Sequence, residues 1–281
     1  MSFYISLSGL KGAQTDLATI SNNVANVNST AFKKSKVQFG DIFAAAPMQT
    51  TSQVAGQGVR VQGIAQQFTQ GTIETTDKTL DLAITGEGYF TVKAPDGTVS
   101  YTRSGAFSVD DDRYAVDTTG ARIQVFSVDP ATGALTTPPS SSSSPADLTD
   151  LQIPTTYLGA DGGAQLTSVG VAKNGLVPAI YADGSTAYLG QVAMASFNSQ
   201  EGLRQEGDAH WSSTVASGTP ILGTANEGMF GAVNSGSLER SNVDITEELV
   251  ALISAQRNFQ ANSKAIETAN TLTTTIVNMR T

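Results

Sequence analysis

The sequence predicts an α+β, mainly β chain: an antiparallel β body flanked by long N- and C-terminal α-helices. Three observations predict it. Residues 244–279 contain no Gly and no Pro, in a chain that holds 27 Gly and 9 Pro. Residues 3–27 repeat the same apolar spacing. Between the two lie short alternating segments divided by Gly and Asp turns.

At the N-terminus, Phe3, Leu10, Ala13, Leu17, Ile20, Val24 and Val27 fall in a three-four-seven spacing, a coiled-coil-like register. Gly9 and Gly12 each lower helix propensity by about 1 kcal/mol relative to Ala, which predicts weak first turns. The cluster Asn22, Asn23, Asn26, Asn28, Ser29 and Thr30 predicts the helix end. FKKSKVQFGDIF (32–43) is compatible with extended chain or one short helix, and 44–57 reads as a loop.

The pattern then becomes β. Val59, Val61 and Ala65 alternate, as do Leu80, Leu82 and Ile84, with YFTV following across Gly86-Glu87-Gly88. Asp96-Gly97, Thr119-Gly120, Asn174-Gly175 and Asp183-Gly184 are turn pairs. Strand-like segments follow at RYAVD, RIQVFSVD, LQIP, SVGVA, VPAIYA and GQVAMASF, while 198–240 reads as Gly-rich loop. This is the pattern of a twisted antiparallel sheet or small barrel. Pro138-Pro139, Ser140–Ser144 and Pro145 form a flexible loop tract, 138–145, within the body. The domain division is therefore 1–30 plus 243–281 as a terminal helical domain and 31–242 as the β-rich body.

The last helix carries Ile245, Leu249, Leu252, Phe259, Ile266 and Val277 on one seam. Gln256, Ser263 and Asn270 interrupt it at intermediate heptad positions. They are either tolerated polar edge positions or groups that fix register or face a wet channel. As one helix the segment would be roughly 50 Å long at 1.5 Å per residue, and a long helix with a narrow stripe needs a partner helix. Asn242, Asp244 and Thr246 are candidate N-caps, with Glu247 and Glu248 suited to the helix dipole. The seam helices at the two ends pair with each other, with copies between chains, or both. Packing residues are expected at Leu10, Leu17, Ile20, Val24 and Val27 and at Ile245, Leu249, Leu252, Phe259, Ile266 and Val277.

The totals narrow the functional classes. A net charge of −9 with 15% charged residues offers no footprint for nucleic acid or anionic lipid. No apolar run approaches the length of a membrane span, and the first residues lack the basic and apolar regions of a Sec-type signal peptide. With no Cys and one His, neither thiol chemistry nor a multi-His metal site can be built. Asp110-Asp111-Asp112 lacks the Gly and Glu of a calcium loop, and the two G-x-G pairs lack a third Gly. His210-Trp211 reads as a packed corner, and Lys33, Lys34 and Lys36 as a solvated basic run. No enzyme, cofactor or metal is expected.

Three long blocks resemble one family. SGLKGAQTDLATISNNVANVNSTAFKKSKVQFGDIF (8–43), GVRVQGIAQQFTQGTIETTDKTLDLAITGEGYFTV (58–92) and LERSNVDITEELVALISAQRNFQANSKAIETAN (238–270) are similar to the flagellar rod, hook and hook-associated proteins. MSFYISLSGL, DLQIPTTYL (150–158) and LGQVAMASF are most similar to hook subunits, with distal rod subunits next. Only about residues 159–168 stand where hook subunits usually insert an outer β domain, which is nearer to a distal rod layout. The resemblance implies a homopolymer, a helical tube whose terminal helices form an inner coiled-coil-like layer and whose β body forms the wall. It implies export through the flagellar type III apparatus without a cleaved signal peptide. The implied partners are rod and hook-filament junction proteins and a hook cap, and the implied location is the extracellular hook and basal body.

Overall fold

A computed structural model of the chain describes residues 2–43, 56–136, 144–157 and 163–279. Most of the loop read at 44–57 and of the tract read at 138–145 lies outside the described residues. The chain is mainly β and antiparallel, with a helix at each end: α1 (Ser2–Ala25) and α2 (Ile245–Asn278). The strands in order are β1 (Ser35–Phe43), β2 (Gly56–Gln66), β3 (Ile73–Thr75), β4 (Leu82–Thr85), β5 (Tyr89–Lys93), β6 (Val99–Thr102) and β7 (Ser108–Val109). They continue as β8 (Ala115–Val116), β9 (Arg122–Phe126), β10 (Thr149–Asp150), β11 (Thr156–Tyr157), β12 (Ala164–Val169) and β13 (Leu176–Tyr181). The last six are β14 (Thr186–Ser196), β15 (Arg204–Gly207), β16 (His210–Ser212), β17 (Ile221–Thr224), β18 (Ala232–Ser235) and β19 (Ser237–Glu239).

The chain divides into two compact units. One comprises Met1–Asn28, Lys33–Gln67 and Val243–Thr281; the other comprises Ser29–Phe32 and Phe68–Asn242. Residues 33–67, grouped by sequence pattern with the β body, thus fall with the terminal helices. The segment 32–43, open between extended chain and short helix, is the strand β1, and it pairs antiparallel with β2.

In the larger unit the main sheet runs β11-β12-β13-β14-β9-β5-β6-β16-β15, with β7, β8, β10 and β17 attached to it. Its centre is β14, where Gln191–Ser196 are buried without a break. Side chains alternate across a strand, and each face of the sheet has its own apolar cluster. Val192 and Met194 join Phe90, Val92, Ile123, Val125 and Ile153 on one side. Ala193 and Ala195 join Tyr89, Tyr101, Phe197, Trp211 and Leu222 on the other. The four turn pairs read from the sequence all place glycine in the left-handed region: Gly97, Gly120, Gly175 and Gly184 have φ of 89°, 83°, 79° and 80°. Gly86 and Gly88, at 113° and 123°, form the turn from β4 to β5.

Residues 198–240 are not loop; they hold β15 to β19. These strands are three or four residues long and, apart from the β15–β16 hairpin, find partners far away in sequence, as β18 does on β4 and β19 on β3. No local period is long enough to reveal them.

Candidate functional site: the paired terminal helices

α2 begins at an Asp244 cap. Its Oδ1 accepts the Glu247 and Thr246 amides at 3.2 and 2.8 Å, bonds that hold the carboxyl below its ordinary range. Of the three candidates read from the sequence, Asp244 makes the cap. α1 runs unbroken from Ser2 through both of its glycines.

Those glycines are points of close approach rather than weak turns. A Cβ at Gly9 would stand 2.7 Å from Asn262 Oδ1 on α2. A Cβ at Gly12 would stand 3.3 Å from the Phe39 ring, with Val59 next to it. Gly9 therefore faces α2 and Gly12 faces the β1–β2 hairpin. Gly58, at φ 117°, brings β2 against Ser8, whose Oγ accepts the Val59 amide at 3.2 Å. A hairpin and a helix pack on adjacent sides of α1, and that is why 33–67 belongs to this unit.

The helices are antiparallel. Asn23, near the end of α1, donates from Nδ2 to Glu248 Oε2 at 3.2 Å. The same amide exchanges two 2.9 Å bonds with the backbone of Ser35. Leu10, Gln14 and Leu17 line a groove of about 370 Å³ with Gln256, Phe259 and Gln260. At the Asn23 end, Asp16, Glu247 and Glu248 line a polar hollow of about 300 Å³ with Lys34 and Lys36; burial there raises the Asp16 carboxyl above its ordinary value. Lys33 is buried and Lys34 pairs with Glu247 at 3.3 Å, so the basic run is not simply solvated.

The face that α2 turns to α1 is read from burial. Glu248 and Ala255 are buried, and Leu252, Asn262, Ile266 and Ala269 are half-buried. With Phe259 these form the series 248, 252, 255, 259, 262, 266, 269, a strict alternation of four and three. It shares Leu252, Phe259 and Ile266 with the seam read from the sequence. The other line differs by one residue: Glu248, Ala255, Asn262 and Ala269 face α1, while Leu249, Gln256, Ser263 and Asn270 are exposed beside them. On α1, Ile20 is buried and Leu10, Leu17 and Val24 are half-buried. Val27 is half-buried just after the helix ends.

Ile245, Leu249 and Val277 are 48%, 46% and 59% exposed, so the pairing within the chain leaves them open. Glu248, Ala255, Asn262 and Gly9 were missed because a search for large apolar residues skips small and polar ones. The line Ala251, Ala255 and Ala269 was the available signal, since small residues let helix axes approach.

α2 also outlasts its partner. Gly9 lies opposite Asn262 and α1 begins at Ser2, so α1 ends near residue 269 of α2. The remaining turns of α2 extend about 14 Å further at 1.5 Å per residue. Every residue from Asn270 to Met279 is exposed. The α1-facing series reaches Ile276 on this overhang, with Leu272 and Met279 on its flank; the three are exposed by 66%, 59% and 82%.

Among the described residues no group of His, Asp or Glu is placed to hold a metal ion. Asp110 Oδ1 accepts the Tyr114 amide at 2.7 Å, closing a turn. No helix among the described residues is long and apolar enough to cross a membrane.

Three family models match the chain. "Flagella basal body rod protein" matches residues 3–33, "Flagellar hook protein FlgE/F/G D1 domain" residues 83–179, and "Flagellar basal body rod FlgEFG protein C-terminal" residues 234–279. The flagellar basal-body rod protein FlgG of Bacillus subtilis (strain 168) is 35% identical over 294 positions, covering 99% of this chain and 98% of that one. FlgG of Agrobacterium fabrum (strain C58) is 31% identical, covering 95% and 94%. The flagellar hook protein FlgE of Escherichia coli (strain K12) is 28% identical over 416 positions, covering all of both chains. A crystal structure of the Helicobacter pylori flagellar hook protein FlgE2 aligns with a TM-score of 0.24 and 15% identity. It covers 66% of this chain and 44% of that one, a likeness too weak to carry the fold. The chain belongs to the flagellar hook and basal-body rod family of axial structural proteins.

Proposed function

We propose that this chain is a self-assembling subunit of the flagellar hook, polymerising into a helical tube that serves as a flexible, torque-transmitting joint between rod and filament. The observation that carries this reading is the overhang of α2, where Ile276 continues the line that packs on α1, flanked by the exposed Leu272 and Met279, with no α1 beside it. A helix end in water without packing is marginal, and burying each such side chain stabilises by about 1.5–3 kcal/mol. The occupant is a second copy, through the exposed apolar first turn of its α1, Phe3, Tyr4 and Ile5. The second stripe, Ile245, Leu249 and Val277, serves lateral packing between copies. Gln256, Ser263 and Asn270 lie at its edge, where they set register or meet a wet channel. Rod and junction proteins, a hook cap and the type III export apparatus are its further partners.

A specific observation favours a second reading, the distal rod. Alignment with the hook relative is 416 positions long against 281 residues here, so the relative fills at least 135 positions (416 less 281) that this chain lacks. The Bacillus rod relative needs only 294.

Electron microscopy of the concentrated protein tests both. Tubes are expected from the wild type and none from Ile276→Asp, whose Trp211 fluorescence should match the wild type. Tubes of Ile276→Asp would end the role given to the overhang. Curved, compressible tubes favour hook and short straight ones favour rod.

A further inference from the structure

The chain has one histidine and one tryptophan, and they are neighbours in β16. His210 is 6% exposed. Its Nε2 lies 2.6 Å from Asp117 Oδ2 and its Nδ1 lies 2.9 Å from the Asp208 carbonyl oxygen. Both ring nitrogens face acceptors, and only the doubly protonated ring donates to both. Asp117 is 5% exposed, and its other oxygen is already engaged. Oδ1 accepts the Thr119 amide and hydroxyl and the Ala121 amide at 2.8, 2.7 and 3.0 Å.

This pair joins the β8–β9 turn to the β15–β16 hairpin, whose Trp211 is anchored in the apolar cluster while its turn end and β15 are otherwise held weakly. The hairpin meets the sheet through two paired positions, His210 with Thr102 and Trp211 with Tyr101. Every residue of β15 is exposed. Its turn places Asp208 and Ala209 at φ of 49° and 58°, a left-handed conformation unfavourable for Ala. That turn is pinned by the Thr102 hydroxyl, donating to the Ala209 carbonyl at 2.8 Å, and by His210 on the Asp208 carbonyl. Removing the hairpin from the sheet would bare the edge of β6, and a bare edge strand invites pairing with another chain.

We infer that His210 and Asp117 form a proton-operated latch that seats the β15–β16 hairpin over the edge of β6. With the imidazole doubly protonated the latch is closed. Loss of one ring proton removes the charge and one of the two hydrogen bonds, and the hairpin lifts at the end that carries the strained turn.

The charged groups around His210 are Asp117 from the β8–β9 turn, Asp208 in its own turn, and Glu206 on β15, which pairs with Arg204 at 2.9 Å; from β6 the neighbour is the uncharged Thr102. Burial lowers the imidazole pKa, but the Asp117 hydrogen bond and charge outweigh it, and the net value lies above the ordinary 6.5. Burial raises the Asp117 carboxyl, and the His210 and Thr119 hydrogen bonds bring it below the ordinary 3.8. The sign follows for each partner. The His210 contribution is complete below 6.5 and lost as pH rises through the raised value. The Asp117 contribution is present above 3.8 and lost as pH falls through the lowered one.

The test is a pH titration of the full-length monomer by NMR, in which the only imidazole needs no assignment. Both ring nitrogens should be protonated below the midpoint, and the midpoint should lie above 6.5. Across that midpoint the amide protection factors of Trp211 and Tyr101 should fall about tenfold, while those of Val92 and Ile123 hold. A midpoint at or below 6.5, or Trp211 protection that stays flat through the titration, overturns the inference. Asp117→Asn retains an oxygen for Thr119 and Ala121, and should lower the midpoint and free the hairpin at a lower pH than in the wild type. An unchanged midpoint in that variant also overturns it.

Discussion

β14 and α2 are both apolar elements, and they end up in opposite conditions. From Gln191 to Ser196 every residue of β14 is buried, with an apolar cluster on each face. α2 is three times as long and buries only Glu248 and Ala255. The difference lies in what each was given to pack against. The strand has covering chain on both sides within its own unit, whereas the helix has one partner that covers one stripe and stops short of its end. A unit that finishes its own core needs no second chain to be stable. A helix that leaves apolar side chains such as Leu249, Leu272 and Ile276 open has room for a further partner.

Amide exchange on the dilute monomer gives the largest contrast. Protection at Phe90 and Val92 should exceed that at residues 270–278 by several orders of magnitude, because local opening spans from near zero up to the global stability. Leu17 and Leu252, on the paired stretch, should fall between these two. Strong protection along the α2 overhang in a verified monomer would break the comparison. Next in size, Phe90→Ala in the fully buried sheet core should cost the β unit about 3–5 kcal/mol, read by denaturant unfolding with Trp211 fluorescence. A loss below about 1 kcal/mol would mean that the core collapses around the gap.

Asn23→Ala acts on the other side of the comparison. It removes the bonds to Ser35 and Glu248 and should cost the helical unit about 1–3 kcal/mol, seen as earlier helix melting by circular dichroism with the β signal unchanged. The smallest effect belongs to the Asp244 cap. Its carboxyl lies below 3.8, so the cap contributes above that pH and is lost as pH falls through the lowered value. Helix content at acid pH should drop slightly in the wild type and be flat in Asp244→Ala.

Much of the architecture was legible because its signals are local. The absence of Gly and Pro after Asp244 marks a helix, and Asp96-Gly97, Thr119-Gly120, Asn174-Gly175 and Asp183-Gly184 mark turns that need a left-handed residue. The short strands from 204 to 239 were not legible, because a three-residue strand is made by its distant partner rather than by its own sequence. In the helix pair, Leu10, Leu17, Ile20, Leu252, Phe259 and Ile266 announced themselves by size and spacing. Gly9, Asn23, Glu248, Ala255 and Asn262 did not, since what matters there is how closely two axes approach.

The sequence by itself determined that this chain has two seam helices around an antiparallel β region, because helix and strand periods are set by backbone geometry and need only neighbours a few residues away. Tertiary structure alone decided which line of the last helix faces inward. Leu249, Gln256, Ser263 and Asn270 and their neighbours Glu248, Ala255, Asn262 and Ala269 differ by one residue on the same cylinder. Gly9, pressed against Asn262 from the far end of the chain, is what selects between them.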